Sequence, residues 1–425
     1  MVRKVNTKAK IEDEDLTEKF SFFNDMKTGN KRADSGKEKE INTYIDTGAY
    51  SFNAIISGDM TKGFPGNRIT MLAGEEAVGK TFFACFGFCK PLTDMGYFIY
   101  YIDTENSVTD EQLIGFGCNP GQYKIMDIDM VGDLKGQMNT ILNKVTESMG
   151  RSMVNKHKVA FVIDSQGMLD SGKARADLDK GVVVKDMTLQ QELKSFYKAV
   201  TKRLGDMDIP MLVTNHVYAN VGGYGSPTKV AGGKGALYAC SVILYLNKKQ
   251  YKEGEVRKGT IITAKNTKSR LSREGLEACF YMNWDKGFNK WYGVHIFATE
   301  ANLIEKYVAS KFDKKGVVGP EKAGNSTFYV IKDPKITPDK WIVCKETELH
   351  KQSTIGTIFE EVNEHVKLKF KLKRPIDFSY DDLDEEEDLD VEDDLLVDAE
   401  TAADRAKKFS KLTDMEETTD AFSEE

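Results

Sequence analysis

Residues 68–81 read RITMLAGEEAVGKT, and the fold follows from this stretch. Arg68–Ala73 is a short apolar run with the look of a buried strand. Gly74-Glu75-Glu76-Ala77-Val78-Gly79-Lys80-Thr81 matches GxxxxGK[ST] at every fixed position. A Phe-rich segment of helical character follows, Phe82–Lys90. A strand before the glycines and a helix after them is the setting in which this pattern cradles phosphates. Glycines let the backbone N–H groups close on phosphate oxygens, and the helix N-terminus adds partial positive charge. Lys80 is then placed for the β- and γ-phosphates, and the Thr81 hydroxyl for magnesium. A chance match in a chain of this length is on the order of 1%. The sequence thus predicts a site for ATP with Mg2+ that includes Gly74, Glu75, Glu76, Ala77, Val78, Gly79, Lys80 and Thr81.

Outward from the loop, more apolar runs end in polar groups. GYFIYYIDTEN is rich in aromatic and branched residues and ends at Glu105. Glu105 is a candidate general base that orients water; a solvated acid or a cap for the next helix fits the spacing equally well. Lys158–Asp164 is a third strand, followed by Ser165. Such a strand-end acid suits the magnesium shell, which makes Asp164 and Ser165 candidates and Thr81 with Asp164 the candidate metal ligands. A fourth strand, Pro210–Asn215, ends at His216, which could meet a γ-phosphate or be structural. Helical stretches Thr109–Phe116, Gly136–Ser148 and Leu189–Gly205 lie between, and Ser241–Leu246 and Thr260–Ala264 continue the strands. This alternation predicts an α/β protein: a mainly parallel twisted sheet flanked by helices, with antiparallel pairs added late.

Two long segments read as functional loops: Asp170–Lys185, with Lys173, Arg175, Lys180 and Lys185, and the glycine-rich stretch after His216. In the latter, Tyr218 and Tyr224 could stack on bases, and Lys229 and Lys234 could meet phosphates. Either segment reads equally as solvated surface. The cluster Lys265–Arg270 could supply a transition-state cation, to its own or to a neighbouring subunit, or be an ordinary basic patch.

The formal charge of the 425 residues is −7, but Asp381–Glu400 alone holds 13 carboxylates and no base, so the rest carries +6. A basic body suits an anionic partner such as nucleic acid. The acidic tail is read either as a competitor for that surface or as a solubilising appendage. Six scattered cysteines form no CxxC pair, which points to reduced thiols rather than a metal site. No apolar run approaches the roughly 20 residues that span a bilayer, and the first residues are polar. A cytoplasmic protein without a membrane partner is expected. The organisation reads as an arm (1–40), a core (41–294), a small α+β domain (295–374) and an acidic tail (375–425).

Together the motifs resemble the RecA family of DNA recombinases. The resemblance is carried by TGAYSFNAIISGDMTKGFPGNRITMLAGEEAVGKT, by IDTENSVTDEQLIGFGCNP, by FVIDS and by TNH. Within the family the likeness is strongest to the UvsX type of tailed bacteriophages, through TNHVY, GGKG with ALYA, Lys268-Ser269-Arg270 and KLTDMEE. It implies a RecA-like P-loop NTPase core and a DNA-dependent ATPase that forms helical filaments on single-stranded DNA and exchanges strands with homologous duplex. Recombination, repair and recombination-dependent replication would be its settings, the host cytoplasm its location, and single-strand-binding and mediator proteins its helpers. The resemblance also implies that Glu105 is catalytic and that His216 senses the γ-phosphate. Lys268 and Arg270 would act across a subunit interface, and the two long segments would face DNA. Two features depart from the family: the adenine-stacking aromatic of many relatives is replaced near Gln112, and the region after 295 matches poorly. A ring-forming helicase on the same core, or a mediator that binds ATP without turnover, are the alternatives.

Overall fold

The computed structural model describes residues 40–149, 158–179, 188–219, 228–231, 233–253, 256–283, 287–308 and 327–372. The chain divides into two units, Met1–Leu372 and Lys373–Glu425. The arm (through residue 39) and the acidic tail fall outside the described residues, as does the whole second unit.

Two short strands, β1 (Tyr44–Ile45) and β2 (Phe64–Pro65), pair with each other, and nine further strands belong to one large sheet. In chain order they are β3 (Ile69–Gly74), β4 (Phe98–Asp103), β5 (Tyr123–Asp127), β6 (Val159–Asp164), β7 (Met211–Ala219), β9 (Val242–Glu253), β10 (Val256–Ser269), β11 (Glu277–Asn283) and β12 (Gly287–Phe288). Their spatial order is β12-β11-β10-β9-β3-β7-β6-β4-β5. Strands β9, β3, β7, β6, β4 and β5 run parallel, and β10, β11 and β12 are added antiparallel. Helical crossovers join the parallel strands and short turns the antiparallel ones, as connection length requires. This is the doubly wound α/β architecture expected, with a RecA-like core. Strand β5 was not foreseen, because Tyr123-Lys124-Ile125-Met126-Asp127 is too polar to read as a buried run.

The parallel strands are covered on both faces, and their side chains alternate between two hydrophobic clusters. Leu72, Val162, Leu212 and Leu244 face one cluster, whereas Met71, Ile163, Val213 and Ile243 face the other. The first face carries α1 (Tyr50–Ser57) and the continuous helix after the loop, α2 (Lys80–Phe82), a π-helical stretch Phe83–Cys89 and α3 (Lys90–Asp94). Phe52 and Phe83 pack there against Phe280, at ring-centroid distances of 5.0 and 5.5 Å. Helix α4 (Asp110–Gly115) follows β4. The second face carries α5 (Val131–Met149) and α7 (Thr188–Asp206). Their buried stripes, Val131, Leu134, Met138, Leu142 and Val145, and Leu193, Phe196, Tyr197, Val200 and Leu204, recur at helical spacing.

The two segments read as loops contain regular structure. Between residues 170 and 185 lies α6 (Gly172–Asp179). After His216, β7 runs on to Ala219 and pairs with β8 (Thr228–Val230), and α8 (Lys234–Ala239) follows. Glycine-rich composition hid the pieces after His216, where β8 takes its order from pairing with β7 rather than from propensity. Beyond Asn289 the chain is α+β: α9 (Val294–Glu300), a sheet of β13 (Ile304–Val308), β14 (Thr327–Ile331) and β15 (Ile342–Cys344), then α10 (Glu346–Leu349) and α11 (Phe359–Phe370). Ile331, Leu349, Val362 and Phe370 share the cluster that holds Phe52 and Phe83.

Candidate nucleotide site at the carboxyl ends of the parallel strands

Register brings the candidate residues to one edge. Gly74 is level with His216 on one side and Leu246 on the other. Asp103 is level with Asp164. Strands β3, β4 and β6 thus end near His216 of β7, where α/β sheets bind ligands.

The loop itself is built for close approach. Ala77 and Gly79 both have positive φ, 53° and 97°, a turn that converges backbone N–H groups. A Cβ on Gly74 would lie 2.9 Å from the Leu246 carbonyl oxygen, so the loop sits hard against β9. Lys80 is buried, and its Nζ donates to the Gly74 and Glu75 carbonyls at 3.0 and 2.7 Å. Burial lowers its pKa, opposed by the charges of Asp164 and Glu105.

Asp164 is almost fully buried. Burial raises its pKa, and hydroxyls oppose the shift: Thr214 and Tyr101 donate to its carboxylate, the latter at 2.7 Å, and Thr81 also contributes. The neighbouring Thr81 hydroxyl and Asp164 carboxylate are hard oxygen donors of the kind Mg2+ takes. The peptide from Asp164 to Ser165 is cis. It is stitched to β4, since Thr104 Oγ1 donates to the Ser165 carbonyl at 2.7 Å and accepts from the Ser165 N–H at 2.8 Å.

Glu105 is neither a free surface acid nor a helix cap. Thr109 caps α4, with Gln112 returning the bond to the Thr109 N–H at 3.0 Å. That reciprocal cap gives Gln112 a structural task where the resemblance led us to look for an adenine contact. Glu105 Oε1 instead accepts from Ser165 Oγ at 2.6 Å and meets His216 Nε2 at 3.0 Å. Burial acts to raise its pKa, but the bonds from Ser165 and His216 and the Lys80 charge hold it below the ordinary carboxylate value. The turn that carries it is fixed by buried Asp103, whose carboxylate accepts from the N–H groups of Glu105, Ser107 and Val108 at 3.1, 2.8 and 2.8 Å. An ionised carboxylate is thus preset at the strand ends, between a hydroxyl and an imidazole.

The remaining candidates lie elsewhere. Lys268 and Arg270 lie at the opposite end of the sheet, where Lys268 is level with Ile243, itself level with Met71. They grip the end of α8: Lys268 Nζ donates to the Leu237 and Tyr238 carbonyls, and Arg270 donates to the Tyr238 carbonyl at 3.1 Å. Among the DNA-facing candidates, Arg175 pairs with Asp129, and Lys173 and Tyr218 are exposed. Lys229 lies on β8 and Lys234 opens α8. Lys180, Lys185 and Tyr224 lie outside the described residues. Tyr101, Asp103, Thr104 and Thr214 were not singled out from the sequence. The strand pattern made Tyr101 and Thr214 look like packing groups, and only the register brings them to Asp164. Among the described residues there is no group of His, Cys, Asp and Glu arranged to hold a metal by itself, and no helix long and apolar enough to cross a membrane. All six cysteines are free.

The chain is 25% identical over 302 residues to the recombination and repair protein of Enterobacteria phage T4, a match that covers 70% of this chain and 72% of that protein. The chain is similar to the RecA recombinases. Protein RecA of Thermotoga petrophila is 24% identical over 252 residues, which are 57% of this chain and 65% of the relative. Protein RecA of Acinetobacter baylyi is 23% identical over 333 residues, 76% of this chain and 91% of the relative. No family model matches. The RecA-like sheet, in which β7 lies between the strand of the loop and the Asp164 strand, is the fold these relatives lead one to expect.

Proposed function

We propose that this chain is an ATP-dependent DNA recombinase that forms filaments on single-stranded DNA and pairs it with homologous duplex. The observation that carries the reading is the Glu105–Ser165–His216 contact at the strand ends, beside Lys80 and Asp164. The named relatives, a phage recombination and repair protein and RecA, supply the DNA chemistry.

In this reading the loop N–H groups and Lys80 hold the triphosphate. Thr81 and Asp164 hold Mg2+, which neutralises phosphate charge. Glu105, ionised and pinned by Asp103, orients water toward the γ-phosphate. His216 joins the two functions: it touches Glu105 and opens the β7–β8 segment that leads to α8. A γ-phosphate that competes for the imidazole would change both at once. Lys268 and Arg270 serve the site of a neighbouring copy. Residues around 170–185 and 217–238 face DNA, with Lys173, Arg175, Lys180, Lys185, Tyr218, Tyr224, Lys229 and Lys234 as contacts. Residues 1–40 form a docking arm, 41–294 the ATPase core, 295–374 a small domain and 375–425 an acidic tail. Single-strand-binding and mediator proteins would assist the protein in the cytoplasm.

Electron microscopy with single-stranded DNA and a non-hydrolysable ATP analogue tests the reading. Helical filaments are expected; discrete hexameric rings, or no assembly, would overturn it. In the same setting Glu105→Gln should lower DNA-stimulated ATP turnover by roughly 10²–10⁴-fold while nucleotide still binds. Gln keeps the shape but gives up the charge. Undiminished turnover would remove Glu105 from the mechanism and favour another base.

A further inference from the structure

The phosphate loop is held by two lysines, of which the sequence motif contains one. Leu246 on β9 is level with Gly74. Two residues on, and therefore on the same face of the strand, Lys248 rises over the loop. Its Nζ donates to the Ala77 carbonyl at 2.8 Å and to the Glu76 carbonyl at 3.3 Å. Lys80 takes the Gly74 and Glu75 carbonyls. Four successive carbonyl oxygens, Gly74 to Ala77, each accept from a lysine ammonium.

The two lysines are not equivalent. In the reading above, Lys80 leaves its two carbonyls for the phosphates when nucleotide binds. Lys248 comes from outside the loop and is free of that duty. Its two acceptors belong to the peptides whose N–H groups are those of Ala77 and Val78, in the part of the loop where φ turns positive. An ammonium at the oxygen end of a peptide fixes its orientation and polarises its N–H. Its charge also acts on Lys80, so it adds to the positive field that meets a triphosphate.

We infer that Lys248 is a positioning residue for the nucleotide: it braces the Glu76 and Ala77 peptides from β9, so that their N–H groups stay aimed at phosphate when Lys80 lets go. The inference rests on the ATP reading of the loop. Mg2+ with a fluorescent non-hydrolysable ATP analogue, titrated into the full chain without DNA, measures the effect apart from filament assembly. Lys248→Met should weaken binding about tenfold, the loss of one to two charge-assisted bonds. Lys248→Arg, which keeps a cationic donor, should recover most of it. Lys249→Met, on the other face of β9, should leave the affinity unchanged. With DNA present, Lys248→Met should raise the KM for ATP and leave kcat close to that of the parent. Equal affinity in Lys248→Met and parent would overturn the brace, as would a loss confined to DNA binding, which would make Lys248 a DNA contact. An unaltered chain that binds no analogue at all would instead sink the ATP reading.

Discussion

The two ends of the large sheet carry the same contact, a cation on backbone carbonyls, in unlike surroundings. At the carboxyl ends of the parallel strands, lysine ammoniums sit on the carbonyls of the phosphate loop, next to Glu105 and Asp164. At the other end, Lys268 and Arg270 sit on the carbonyls that close α8, a favourable place for cations at a helix C-terminus. The first end has carboxylates, hydroxyls and an imidazole in contact. The second offers cations, near exposed Tyr238. In the proposed reading each end is half of a site, and in one copy the two lie at opposite ends of the strands. In that reading head-to-tail association would bring such ends together; repeated, it gives a ring where the rotation closes and a helix where it does not.

The strongest way to break this comparison is to kill each end in a separate protein and mix them. Glu105→Gln and the double variant Lys268→Ala with Arg270→Ala should each be inactive alone. Mixed in equal amounts, they should regain roughly a quarter of parental DNA-stimulated ATPase, since one junction in four pairs an intact loop with intact cations. No recovery would mean that the cations serve their own subunit or none.

Acid response separates the phosphate edge from the body next to it. Burial lowers the pKa of both His295 and His350 to about 4, and their rings lie 4.8 Å apart. Unfolded, they would titrate near 6.5. Between those values the unfolded chain binds more protons, so stability is full above about 6.5 and falls as pH drops toward 4. The slope is up to about 1.4 kcal/mol per pH unit for each histidine. Glu105, held below its ordinary pKa, is full in its contribution above the usual carboxylate value and loses it only at lower pH. Urea unfolding from pH 7 to 4.5 should show the early loss, and His350→Phe should flatten it. An unchanged slope would move the acid-sensitive group to the phosphate edge.

The smallest effect concerns α4. Thr109→Ala removes the cap and should cost about 1 kcal/mol in urea unfolding, with nucleotide affinity unchanged. A marked loss of affinity would show that the Gln112 turn reaches the base after all.

What could be read from the sequence was local or periodic. The loop motif needs eight adjacent residues, and the strands around it are uniformly apolar because both faces are covered. Asp164 and His216 could be nominated because each closes an apolar run, although β7 continues past His216 to Ala219. Glu105 stayed ambiguous, for an acid after a strand serves equally as base or cap. Thr109 takes the cap, which leaves Glu105 in contact with Ser165 and His216. Lys248 was invisible, since a lysine next to Lys249 reads as solvated surface until β9 is laid beside the loop. The glycine-rich stretch after His216 misled for the opposite reason: β8 gains order only from its partner β7.

Strand β10 runs 14 residues, and with β9 it forms the antiparallel arm whose far end carries Lys268. Extended chain paired on both sides barely stretches, advancing about 3.3 Å per residue. Lys268 stands level with Met71, three residues from Gly74 along β3, so the offset between the half-sites is a fixed spacer of about 10 Å along the strand direction. If copies stack as proposed, that spacer would act as a ruler: this part of the step from one site to the next would be built into the sheet, and the surrounding helices and loops would adjust the twist.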